Sequence, residues 1–127
     1  MRKQYHFWPS EDGRGLLAWD VHRLIELSQD LPRKPVALSA IREMDQVYWF
    51  DGDLERPTCR KVIDHMRLVQ EVDLSFPIIL AADGRVMDGM HRVARAFLER
   101  QEEIDAVQFE HTPEPDHVDC NPRDLPY

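Results

Sequence analysis

The sequence predicts a small α+β domain, a mixed β-sheet with packed helices. Three observations predict it. Helical and extended hydrophobic patterns interleave along the 127 residues instead of segregating into halves. The stretch FPIILAADGRVMDG, residues 76–89, carries a β-hairpin signature around Asp83-Gly84. A second glycine, Gly89, closes that hairpin directly before a helical run.

The elements follow in order. Residues 1–15 hold Tyr5, Phe7 and Trp8, then the loop-like PSEDGRG. From Leu16 to about Asp30 the pattern is helical, with Leu17, Val21, Leu24, Ile25 and Ser28 on one face. Pro32 and Pro35 end that helix. PVALSAI, 35–41, reads as a short strand and a turn, and 42–57 as a long loop rich in acids and aromatics. Thr58 can cap a helix running to about Val72, whose Val62, Met66 and Val69 repeat at helical spacing. Pro77 favours an extended Phe76. Ile78–Ala81 and Arg85–Asp88 are the hairpin strands. The third helix runs from about Met90 to Arg100, with Val93, Ala96 and Phe97 inward and Arg92, Arg95 and Glu99 on another face. IDAVQFE, 104–110, is the last strand, with Val107 and Phe109 on one side. The tail from His111 carries four of the nine prolines and either lies extended on the body or is disordered. The division is therefore an N-terminal aromatic segment and helix at 1–34 packed on the domain, a domain at 35–110, and a proline-rich tail at 111–127.

Composition narrows the function. Twenty-four acids against 16 bases give a net charge of −8, which repels nucleic-acid phosphates but leaves room for a small anion at a local positive site. Double-stranded DNA is accordingly not an expected partner. Two cysteines, Cys59 and Cys120, are too few for a disulfide framework. With no cleavable signal peptide expected, they point to a reducing cytoplasm. No run of about 18 apolar residues occurs, so no membrane span is expected.

The candidate site is DGMHR, residues 88–92. A helix N-terminus offers unpaired N–H groups and the positive end of the dipole. Gly89 allows close approach and a positive φ, Arg92 adds a planar fork for two oxygens, and His91 adds a donor whose charge changes near neutral pH. These features point to a phosphate held at Gly89, Met90, His91 and Arg92. The bland alternative is a turn followed by solvated first-turn residues.

The segment PIILAADGRVMDGMHRVARAFLE with the strand IDAVQFE resembles the ParB/sulfiredoxin-like superfamily, whose hallmark is a hairpin running into a Gly-x-[His/Arg]-Arg turn and a helix. The resemblance covers roughly residues 35–110 and fits best the Asp-Gly-x-His-Arg form of a free-serine kinase branch. It implies a stand-alone ParB-like domain binding a nucleotide, ATP or CTP with Mg²⁺, or another phosphorylated small molecule. If the protein is an enzyme, it implies a phosphotransferase or nucleotide hydrolase. Met90 stands where sulfiredoxin has its nucleophilic Cys, so sulfinic-acid chemistry is not expected. No helix-turn-helix of a partition ParB follows the last strand, and no metal-dependent nuclease signature is visible.

By position the resemblance offers Glu43 or Asp45 as general base, and Asp88 either beside Mg²⁺ or fixing the turn. Tyr48 and Trp49 are candidates for stacking on a ring, or for the core. His117 and Cys120 are three apart, a spacing that can share a metal, but in this segment they read as a solvated tail with no metal site. The rival class is a non-catalytic sensor or protein-interaction module, and a homodimer fits either reading. DNA processing is the third and weakest.

Overall fold

A computed structural model describes residues 3–50 and 56–127; residues 51–55 of the expected long loop lie outside the described residues. Within them the chain is a mixed α/β fold with three α-helices and two sheets.

The chain opens with an antiparallel hairpin of β1 (Tyr5–Pro9) and β2 (Leu16–Asp20), with Tyr5 opposite Asp20 and Pro9 opposite Leu16. This corrects the expected helix from Leu16. Asp20 accepts a hydrogen bond from the His22 N–H and caps α1 (Val21–Ser28), so the helix starts five residues late. Leu17, Ala18 and Trp19 are consecutive and all buried, which an amphipathic helix cannot achieve but a strand covered on both sides can. The tail helps to cover β2. Ala18 bridges His117, the Trp19 Nε1–H donates to the Pro113 carbonyl at 2.8 Å, and Arg23 pairs with Asp116 at 3.0 Å. The tail is therefore extended against the body.

The larger sheet has the order β3-β6-β4-β5, formed by β3 (Lys34–Ala37), β4 (Ile78–Leu80), β5 (Val86–Asp88) and β6 (Glu103–Gln108). β6 runs antiparallel to β3 and parallel to β4, and β4 and β5 form the hairpin, so the sheet is mixed. Gly84, at φ +92°, makes its turn. The period of two sorts the core. Ile78, Leu80, Val86 and Ala106 face one cluster with α3 (Met90–Leu98), while Ile79, Ala81, Met87 and Val107 face Leu17, Trp19 and Leu24 on the other side. The N-terminal hairpin and α1, with Trp8, Leu17, Trp19, Leu24 and Leu31, thus close the second face of the sheet.

Thr58 caps α2 (Cys59–Glu71) through Lys61 N–H. Of the apolar repeat on this helix only Val69 is buried; Val62 and Met66 are exposed. Arg95, on α3, donates to the carbonyls of Gln70 and Val72 at 2.7 and 3.0 Å, where a helix end leaves acceptors unpaired. On α3, Val93 and Ala96 are fully buried as expected, but Phe97 is 58% exposed. No helix among the described residues is long and apolar enough to cross a membrane.

His6 is buried among Trp8, Trp19 and Tyr48, and its Nε2 has no hydrogen-bond partner. Burial, aided by the Arg85 charge, pushes its pKa down to about 3. The folded chain therefore holds a neutral imidazole that the unfolded chain protonates below about 6.5. This contribution is full above that pH and is lost as pH falls towards 3. Denaturant titrations of the wild type and His6→Phe should diverge by on the order of 3 kcal/mol between pH 7 and 4, with the variant the flatter. Parallel pH profiles would show that His6 does not drive the acid sensitivity.

Candidate functional site

The site is built on β5, the edge of the larger sheet. An edge strand leaves outward N–H and C=O groups without a neighbour. At Val86 both are taken up by the segment after β3. Glu43, buried in a 3-10 turn, accepts from the Val86 N–H at 2.5 Å, and the Tyr48 hydroxyl donates to the Val86 carbonyl at 3.3 Å. Burial, with the negative charges of Asp88 and Glu43 adding to it, holds the Tyr48 phenol above its ordinary acidity range, so it stays a donor. Glu43, Tyr48 and Asp88 are thereby gathered at one place. Asp45 is exposed on the same 3-10 turn, and no contact among the described residues ties it to them.

Beyond Asp88 the strand ends at Gly89, whose φ of +105° and ψ of 19° let the chain turn straight into α3. A Cβ there would lie 2.7 Å from Ile78 Cγ2 and 3.0 Å from Arg92 Nη2. Glycine is required by conformation and by space. It supplies no side-chain cap, and the first helical bond runs from Val93 N–H to the Gly89 carbonyl. The amides of Met90, His91 and Arg92 precede that bond and face the open end of the helix. Met90 itself points the other way, its side chain in the core cluster. Only its N–H belongs to the site.

Arg92 folds back over the turn. Its Nη2 donates to Asp88 at 2.9 Å and to the Pro77 carbonyl at 3.2 Å, while its buried Nε has no partner. Both side chains of the pair remain partly open, at 17% and 23% exposure. Asp88 thus fixes the turn. Arg95, expected on the same helix face, is drawn off to the end of α2 and to Glu99.

His91 meets a residue that sequence reasoning missed. His65, on α2, brings its Nδ1 to 2.8 Å from His91 Nε2. The rings are 16° from parallel, and the Trp49 indole lies flat on both, 4.8 Å from His65 and 4.7 Å from His91. Trp49 therefore stacks on the histidine pair, and Tyr48 packs beside His6. His91 is also not the near-neutral switch that its residue type suggested. Burial first, then His65 and Arg92, lower its pKa to about 4, so it is an uncharged imidazole at pH 7. The signal for His65 was faint: it stands four residues before Val69, the buried position of α2. Among the described residues no three His, Cys, Asp or Glu side chains cluster to hold a metal ion.

Family models, curated proteins and solved structures gave no match to the chain.

The two hairpin glycines separate conformation from space. Gly89→Ala should lower the unfolding free energy by about 2–4 kcal/mol, combining positive φ with a clash against the core. Gly84→Ala, at φ +92° with nothing within 4 Å of the added atom, should lose only about 1–2 kcal/mol. Equal losses in denaturant titration would show that Ile78 yields and that Gly89 is only a turn residue.

Proposed function

We propose that this protein is a ParB/sulfiredoxin-like domain that binds a nucleotide or another phosphorylated small molecule at the Gly89 turn. The observation that carries the reading is the uncapped start of α3: three first-turn amides behind a glycine that no side chain caps. An anion is the partner that such an end accepts, and the dipole of the nine-residue helix favours it. Arg92, held beside those amides by Asp88 at 2.9 Å and still 17% exposed, keeps a guanidinium within reach of an anion that lands there. The family reading rests on the resemblance of the sequence at the hairpin, the Gly89 turn and the helix after it, in the order the chain has them.

Binding is favoured over catalysis. Glu43, one of the two bases the resemblance offers, is turned to the Val86 amide, and Asp88 is engaged by Arg92. Among the described residues no group of three ligating side chains forms a metal cage, so any Mg²⁺ would arrive with the nucleotide and be held chiefly by its phosphates.

Calorimetric titration tests the reading with inorganic phosphate, ATP and CTP. The wild type should bind at least one of them. Arg92→Ala should lose about 1.5–3 kcal/mol of affinity, the size of a charge-assisted hydrogen bond. Arg95→Ala should lose less, because its guanidinium serves α2. Between pH 7 and 5 the affinity should follow only the protonation of the phosphate ligand itself, since His91 stays neutral there. Equal affinities in all three chains would remove Arg92 from the site, and no binding by any of them would end the phosphate reading.

A further inference from the structure

We propose that His65 is a positioning residue for the anion site: its Nδ1–H donates to His91 Nε2, so that the His91 proton sits on Nδ1, available to a phosphate oxygen. The inference rests on the phosphate reading of the Gly89 turn and adds to it a residue from a different helix.

A neutral imidazole has one N–H and one bare nitrogen, and a hydrogen bond to either fixes the role of the other. His65 Nδ1 and His91 Nε2 are 2.8 Å apart, so one of them carries the proton and the other accepts it. The anionic oxygens of a phosphate accept and do not donate. Any hydrogen bond from His91 to them must come from its remaining nitrogen, Nδ1. That nitrogen can hold the single proton only when Nε2 is bare, and a bare Nε2 at this distance is the acceptor for His65.

The surroundings hold the arrangement. Trp49 lies within 16° of parallel to both rings, so rotating either imidazole breaks the stack. Phe50 meets His65 edge-on at 5.2 Å. Arg95 ties α3, which carries His91, to the last carbonyls of α2, which carries His65. Burial keeps His91 in its neutral form, so the doubly protonated ring, with two donors and no tautomer to choose, is not the resting state. At 2.8 Å the two ring nitrogens are at hydrogen-bond distance.

The test is nitrogen-15 NMR of the His91 ring in the full chain, with and without saturating inorganic phosphate, in the wild type, His65→Phe and His65→Asn. Phenylalanine keeps a ring under Trp49 and removes the donor, and asparagine returns an amide N–H near the place of Nδ1. In the phosphate-loaded wild type, His91 should be protonated on Nδ1 and bare on Nε2. His65→Phe should lose about tenfold in phosphate affinity together with that assignment. His65→Asn should recover both, which loss of packing alone would not allow. A phosphate-loaded wild type with the proton on Nε2, or His65→Phe binding phosphate as tightly as the wild type, overturns the proposal and leaves the anion site standing. Wild type that binds no phosphate overturns the anion site and the role of His65 together, and that is read before any variant is made.

Discussion

The contact between Gly89 and Ile78 is the constraint on which the rest of the site depends. A Cβ at residue 89 would stand 2.7 Å from a side chain that belongs to the first strand of the hairpin and to the main core cluster. The strand-to-helix turn is therefore pressed directly on the sheet. α3 starts where β5 stops, its first amides meet no side-chain cap, and Arg92 can reach back one turn to Asp88. Moving the turn outward by the width of a methyl group would loosen each of these together.

The other constraint is the unpaired edge of β5. Polar groups at a sheet edge need water, a neighbour or a side chain. Glu43 and Tyr48 supply side chains to both groups of Val86, which anchors the segment after β3 across the edge. The same anchoring brings Trp49, the next residue, over His65 and His91. A structural need at the strand edge and the arrangement of the imidazoles are thus linked through two adjacent aromatic residues. On the opposite face of the sheet the tail lies against β2, and His6 is packed among Trp8, Trp19 and Tyr48.

Much of the sheet was legible because its signals are local. Asp83-Gly84, the run Ile78–Ala81 and Gly89 carry their conformation in a few adjacent residues, and the structure has them as a turn, a strand at Ile78–Leu80 and a helix start. The N-terminal hairpin was not legible. Leu17, Val21 and Leu24 happen to fall at helical spacing, and the strand character of β2 comes from pairing with β1 and with a tail about a hundred residues away. Periodicity alone puts Phe97 inward and Met66 in an apolar repeat with Val62 and Val69, and it marks an apolar face but not whether anything covers it. At the site, Gly89 and the first turn of α3 followed from the motif. The His65–His91 bond did not, because it joins two helices 26 residues apart and depends on how they pack. The charge of His91 was misread for the same reason: its residue type suggests titration near neutrality, and only the packed structure reveals the burial that suppresses it.

The central claim is that the start of α3 is where an anion lands. Amide chemical-shift mapping with inorganic phosphate tests it most directly, since it reads backbone N–H groups and needs no substitution. The account predicts that the largest saturable shifts fall on Met90, His91 and Arg92, with small effects at the starts of α1 and α2, whose ends are capped by Asp20 and Thr58. Shifts that do not saturate, or that spread evenly over all three helix starts, would contradict it.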